Sequence, residues 1–258
     1  MLLTGRWPTG NRMDEPVLLT GAGGQVGRAI RERIGNAYDW RLLFHSAPER
    51  EPDHPYYIGE VQDEADVREA VSGVGAVIHL AGDPRPNAPW RSVLENNIDG
   101  TRVVLEAAVD ADVSKFVFAS SNHAVRHYET EREPRVYREA GDMALDGTEL
   151  PRPDNVYAVS KVAGEVLCRY YHDEHGIDVV CVRIGNLTWD HPPKDYERGQ
   201  AMWLSPRDCA HLHDRCLKAD YEFEIVYGLS DNDRRFYSLE RAREVLGYEP
   251  RDNSAEYE

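Results

Sequence analysis

"LLTGAGGQVGRAI", residues 18–30, begins as an apolar run, passes through Gly21, Gly24 and Gly27 in a G-x-x-G-x-x-G spacing, and continues with helical periodicity. A strand, a glycine turn and a helix in that order suit a dinucleotide: glycines permit a tight turn and close backbone approach to a diphosphate, and the helix N-terminus stabilises its charge. Such a turn can also be purely structural, so its weight comes from what surrounds it. Short apolar runs at 16–19, 40–44, 55–59, 76–82, 115–121 and 179–185 alternate with helical patterns at 24–34, 63–72, 90–110 and 155–175. That alternation predicts an α/β fold, a Rossmann-like doubly wound parallel sheet covered on both faces. Past residue 186 the rhythm breaks. Proline and charged residues over 188–200 precede a helix near 206–218, a strand at 223–228 and a short helix near 238–246. We read 1–12 as a flexible tail or misassigned start, 13–186 as the dinucleotide-binding unit and 187–258 as a small C-terminal substrate-binding portion.

The 258 residues carry 46 acidic against 30 basic side chains, a formal charge of −16, and four of the basic residues are lysine: Lys115, Lys161, Lys194 and Lys218. Such a surface repels nucleic acid and anionic lipid. Scarce lysine with abundant carboxylates suits a protein kept soluble in concentrated salt, where the Debye length shrinks to about 3 Å at 1 M. The composition therefore points to a salt-accumulating cytoplasm, with an ordinary acidic enzyme as the alternative. The four cysteines contain no C-x-x-C pair and are expected as buried thiols in a reducing compartment. No apolar run reaches the length of a membrane span, and the first residues lack a signal peptide's hydrophobic stretch.

"VYAVSKVAGE", residues 156–165, sets Tyr157 four places before Lys161 in a helical pattern. The two side chains share a helix face. A cation there lowers the phenol's pKa from its ordinary value near 10. The phenol can then act as a base near neutrality, provided the site supplies more positive charge than one lysine. By itself the spacing occurs by chance in many proteins.

The glycine turn, "HLAG" (79–82), "NNIDGT" (96–101), "FASSNH" (118–123) and "YAVSK" (157–161), in that order, resemble an extended short-chain dehydrogenase/reductase. The resemblance implies that Tyr157 is the catalytic base, Lys161 its partner and a ligand of the nicotinamide ribose, and Ser121 a hydrogen-bond donor to the reacting oxygen. It implies NAD or NADP as cofactor, whose oxidised ring brings the second positive charge. The cofactor would be held by Gly21, Gly24, Gln25, Val26, Gly27, Phe44, His45, Glu60, Val61, Leu80, Ala81, Gly82, Asn97, Ile184 and Asn186 besides Tyr157 and Lys161. "FASSNH" and "VRIGN" (182–186) are similar to bacterial uronate dehydrogenases, which place sugar-hydroxyl ligands at Asn122 and His123; packing behind the site is the alternative role. "AGDPRPNAPW" (81–90), "HPPKDYERGQAMWLS" (191–205) and "EIVYGLSDNDRRFYS" (224–238) look closer still to haloarchaeal glucose-6-phosphate dehydrogenases.

That resemblance implies oxidation of a sugar at its anomeric carbon to a lactone, no metal, and a homo-oligomer. Arg198 stands five residues before Trp203, the offset of a substrate-binding arginine in uronate dehydrogenases, and Arg85 and Lys194 could add charge for a phosphate. The acid that binds the ribose 2′-hydroxyl about twenty residues past the turn is missing; Phe44 and His45 stand where the relatives carry Asp. Without it His45, Ser46 or Arg50 could bind a 2′-phosphate, so the sequence predicts weak discrimination with NADP accepted. His79 reads as a satisfied core histidine, His172 and His175 as solvated surface, and His211 and His213 as lying on different helix faces. A sugar-nucleotide epimerase shares Tyr157 and Lys161 but needs a larger C-terminal region. A non-catalytic nucleotide sensor would be expected to lose one of the pair.

Overall fold

The computed structural model describes residues 15–133, 135–137, 145–194 and 196–257; the expected tail at 1–12 lies outside them. The strands are β1 (Val17–Thr20), β2 (Trp40–Phe44), β3 (Tyr56–Ile58), β4 (Ala76–His79), β5 (Lys115–Ser121), β6 (Asp178–Ile184), β7 (Asn186–Leu187), β8 (Trp203–Leu204) and β9 (Phe223–Gly228). Seven of them form one sheet in the order β3-β2-β1-β4-β5-β6-β9, every neighbour parallel. β7 and β8 pair separately. The helices are α1 (Gln25–Ile34), α2 (Glu64–Val71), α3 (Trp90–Val93), α4 (Gly100–Asp110), α5 (His127–Thr130), α6 (Val156–His175), α7 (Glu197–Ala201) and α8 (Pro206–Lys218).

Both sheet faces are apolar, as alternation along each strand requires. Leu19, Leu42, Ile78, Val117 and Val180 pack with Ile30 of α1 and Leu212 of α8. Leu18, Leu43, Val77, Phe116 and Val179 pack with Val67 of α2, Val104 of α4 and Cys168 of α6. Local chemistry sets the helix ends. Asp63 caps α2 through Ala65 N (2.9 Å) and Asp66 N (3.1 Å). Asn155 caps α6 through Ala158 N (2.8 Å), and Gly176 at φ 72° closes it. Ser205 caps α8 with Pro206 in its first turn. Lys115 Nζ donates to the carbonyls of Leu217 (3.0 Å) and Ala219 (2.6 Å) at the other end of α8. The segment after 186 thus divides: α8 and β9 complete the sheet domain, while Leu187 helps to line the cleft described below.

Two expected helices differ. The pattern over 90–110 is interrupted by a π-helical turn, Leu94–Asp99, which turns Asn97 inward; Thr101 Oγ1 donates to Asn97 O (2.6 Å) there. The helix expected near 238–246 is a π turn, Ala242–Leu246, ended by Gly247 at φ 66°. Short elements over 122–137 and 197–204 had no periodic signal, because one or two turns are too short to show one.

Candidate active site

The carboxyl ends of β1, β4, β5 and β6 open into a cleft of about 980 Å³, at the point where strand order reverses between β1 and β4. The glycine turn forms one wall. Gly21 has φ +65°, and a Cβ on it would stand 2.7 Å from Ala81 N; one on Gly27 would stand 2.7 Å from Gly21 O. Gly24 is the N-cap of α1, with no side-chain cap and no acid in the first turn, so the helix N–H groups are left for an anion. A nucleotide diphosphate fits this wall.

Under the opposite wall, Thr20 Oγ1 accepts from Leu80 N (3.2 Å) and Ala81 N (3.2 Å) and faces His79 Nδ1 (2.8 Å), while His79 Nε2 faces Thr101 Oγ1 (3.2 Å). The Thr101 proton is spent on Asn97 O, so Nε2 carries the imidazole proton and donates. Burial, with Lys161 nearby, pushes the His79 pKa down to about 3. It is the neutral core histidine the sequence suggested. Asn97 lies behind the wall rather than in it: it accepts from Asp83 N (2.6 Å) and donates to Asp83 O (3.1 Å) and to Ser160 Oγ (2.8 Å) on α6. It therefore clamps the loop after β4 to the helix that carries Tyr157 and Lys161.

Those two residues and Ser121 meet at the end of β5. Gly164 lets α6 descend on the sheet, since a Cβ there would lie 2.2 Å from Phe118 Cζ. One turn earlier Lys161 is buried, its Nζ donating to Ala119 O (2.8 Å) and standing 5.7 Å from the Tyr157 ring centroid. Burial lowers its pKa to about 8. Burial raises the Tyr157 phenol above its ordinary value, and the neighbouring Ser121 hydroxyl offsets only part of that rise. The lowering expected from lysine alone is not realised; the phenol needs a further positive charge, as the sequence argument required.

Every residue expected to hold the cofactor except Asn97 lines this cleft, Phe44, His45, Glu60, Val61, Gly82, Ile184 and Asn186 included, as do Ser121, Asn122 and His123. Ser46 lines it and Arg50 does not. His123 places Nδ1 2.9 Å from Asp154 Oδ1; a carboxylate only accepts, so the imidazole Nδ1–H donates. Burial nonetheless lowers the His123 pKa.

Arg198 and Arg85 are absent from the lining. Arg198 is 5% exposed, and its guanidinium donates to Glu129 (Nε to Oε2, 2.8 Å) and Asn122 Oδ1 (2.8 Å). Arg85 spends two donors on Asp83 (2.9 and 2.6 Å) while remaining 63% exposed. Lys194 is exposed. Glu129 is the centre that sequence reasoning missed. Wholly buried, it also accepts from Arg126 (2.9 Å), Tyr137 OH (2.6 Å) and Tyr237 OH. Asp83 and Asp154 were missed too: Asp83 bonds Arg85 within the quoted stretch 81–90, whereas Asp154 meets His123 from 31 residues away. His172 Nδ1 faces Ile177 O (2.9 Å), and His175 stacks on Tyr171, so neither waits for a ligand. Cys168, Cys181, Cys209 and Cys216 are free and buried.

Residues 17–205 match the model of the NAD dependent epimerase/dehydratase family. The chain is 65% identical over 252 residues to the NAD-dependent glucose-6-phosphate dehydrogenase of Haloferax volcanii, covering 95% of this chain and 96% of that one. It is 40% identical over 250 residues to the L-arabinose 1-dehydrogenase (NAD(P)(+)) of the same organism, covering 93% and 97%. Its fold matches a mutant uronate dehydrogenase from Agrobacterium tumefaciens complexed with NAD, at a TM-score of 0.81 and 30% identity, over 94% of this chain and 87% of that one. By its matched residues and its sheet, the chain belongs to the NAD dependent epimerase/dehydratase family.

Proposed function

We propose that this protein is an NAD-dependent dehydrogenase that oxidises the anomeric carbon of glucose 6-phosphate to the lactone. The observation that carries the reading is the meeting of Ser121, Tyr157 and Lys161 at the end of a cleft whose other wall suits a dinucleotide. The relative at 65% identity supports the sugar phosphate over the arabinose and uronate named for the more distant ones. NAD, when bound, supplies the acceptor for the hydride that leaves the anomeric carbon. Tyr157 takes the proton of the anomeric hydroxyl, and Ser121 donates a hydrogen bond to the same oxygen. Lys161, a cation over the tyrosine ring, favours the phenolate at the moment of transfer. His123, with Nδ1–H committed to Asp154, offers Nε2 to a sugar hydroxyl, beside Asn122.

Arg198 serves in this reading through Asn122, which it orients, and not by touching the sugar. For the phosphate we assign Arg85, which is exposed between the cleft-lining Pro84 and Pro86. The test is nicotinamide absorbance with NAD and a panel of free aldoses, uronates, sugar phosphates and nucleotide sugars. Glucose 6-phosphate should give the highest kcat/KM, and Arg85→Ala should raise its KM far more than that of glucose. Turnover confined to nucleotide sugars would instead establish an epimerase, and NAD binding with no turnover a sensor.

No helix among the described residues is long and apolar enough to cross a membrane. We infer a cytoplasmic home from the salt-adapted composition. We also infer a homo-oligomer, since Val159, Val166 and Tyr170 on one face of α6 are exposed apolar side chains. Sedimentation at the 29.3 kDa of one chain would refute the latter.

A further inference from the structure

Phe44 ends β2, about twenty residues past the glycine turn, where NAD enzymes carry the acid that binds the ribose 2′-hydroxyl. It lines the cleft, and its ring packs so near the turn that a Cβ on Gly23 would stand 3.3 Å from Cδ1. Backbone bonds hold it there: Ala22 N donates to Leu43 O (3.3 Å) and Gly59 N to Phe44 O (2.9 Å). The Tyr56 ring meets it edge-on at 6.1 Å. Over the Phe44 ring lies the Arg31 guanidinium, 5.6 Å from the centroid, with Nε donating to Ala22 O (3.0 Å). Phe44 is part of the cleft wall and Arg31 is not.

We propose that Phe44 is the specificity-determining residue for the nucleotide's 2′ substituent, refusing a 2′-phosphate by setting an apolar ring where that phosphate would need a cation and keeping Arg31 out of its reach. The proposal rests on the NAD reading above and replaces the weak discrimination that the missing acid suggested. A 2′-hydroxyl is uncharged and loses little beside an aromatic ring. A 2′-phosphate is a dianion that gives up water and gains no partner from the ring. The other side chains at this end add no permanent cation. His45 and Ser46 are exposed, and Glu60, next to the Gly59 that bonds Phe44, contributes a carboxylate to the same wall. Like charge at that spot repels the phosphate further. Discrimination thus comes chiefly from withheld countercharge, where NAD enzymes with an acid about twenty residues past the turn repel directly.

The test is the Kd of NAD and of NADP, measured calorimetrically on the full chain without sugar. The unmodified protein should bind NAD about tenfold or more tighter, a difference of about 1.4 kcal/mol. Phe44→Ser, which opens the wall to Arg31, should narrow the ratio, and Phe44→Ser combined with Arg31→Ala should abolish that gain. Phe44→Leu keeps the core filled and should narrow the ratio less. Arg31→Ala alone should leave NADP affinity unchanged. Equal affinities in the unmodified protein, a ratio unmoved by both Phe44 substitutions, or weaker NADP binding in Arg31→Ala alone would each overturn the proposal while leaving the NAD reading intact. Failure to bind either nucleotide would overturn both.

Discussion

Around Gly21 and Gly27 the cleft wall is backbone laid against backbone with no room for a Cβ, whereas around Asn122 it rests on a buried carboxylate that gathers two guanidiniums and two phenols. The first region is held by shape. Its parts meet through glycines, apolar strands and main-chain hydrogen bonds, none of which titrates. The second is held by charge. Glu129, Arg198 and Arg126 compensate one another out of water, and each becomes a liability if its partner is removed. A single fold thus contains a glycine turn that admits no added volume and a sugar end that admits no loss of charge.

The catalytic pair lies where these regions meet, and the largest effect should be found there. Tyr157→Phe keeps the ring's packing but cannot accept a proton, so kcat should fall by about 10²–10⁴-fold with NAD affinity retained. Loss of NAD binding together with turnover would mean that the two ends are not separable. Next, Glu129→Gln leaves the buried Arg198 without its carboxylate, while Arg126 keeps Glu133 and Asp154, and should cost about 3–5 kcal/mol of stability, read by urea denaturation. In the folded protein the KM for sugar should rise while the Kd for NAD stays put. Equal damage to both constants would break the comparison.

Volume is tested by Gly164→Ala. The added methyl meets the Phe118 ring, and overpacking should cost about 1–3 kcal/mol, lifting α6 and lowering kcat. Combining it with Phe118→Leu should restore part of both, whereas no charge substitution at the sugar end should. The smallest effect concerns acid. Burial lowers the pKa of His79 to about 3 and of His213 to about 4, from an ordinary 6.5. The unfolded chain therefore binds protons first as pH falls, so stability is fully present above 6.5 and declines below it. His213 Nε2 is buried and finds no hydrogen-bond partner among the described residues. His213→Leu should consequently leave Tm at pH 7 unchanged or slightly higher and flatten its decline toward pH 5; a steeper decline would contradict the assignment.

The same division decides what could be read from the chain in advance. β2, β5 and β9 fall at 40–44, 115–121 and 223–228, the spans their apolar runs predict. The cofactor wall follows because glycine spacing and strand alternation are local signals. Arg198 was visible as a residue type, but not its partner: Glu129 lies 69 residues away in a four-residue helix without periodicity. Nothing in "HYETERE" distinguishes the one buried carboxylate from its exposed neighbours. Phe44 was read as the lack of an acid, and only packing shows what an aromatic ring does there.

The pairing of α1 with α8 bears on how the chain is made. Tyr38, just beyond α1, donates to Asp214 of α8 (2.8 Å) across 176 residues of sequence, and Lys115 closes the end of the same late helix. At about 5–20 residues per second, roughly 10–35 s of translation separate the two partners. Throughout that interval Ile30 of α1 can pack on the early strands, but the flank that carries Ala29 lacks Cys209 of α8, and the sheet lacks its edge strand β9. Vectorial synthesis therefore leaves one flank of α1 bare until α8 has emerged, long after the strands that bury Ile30 are made.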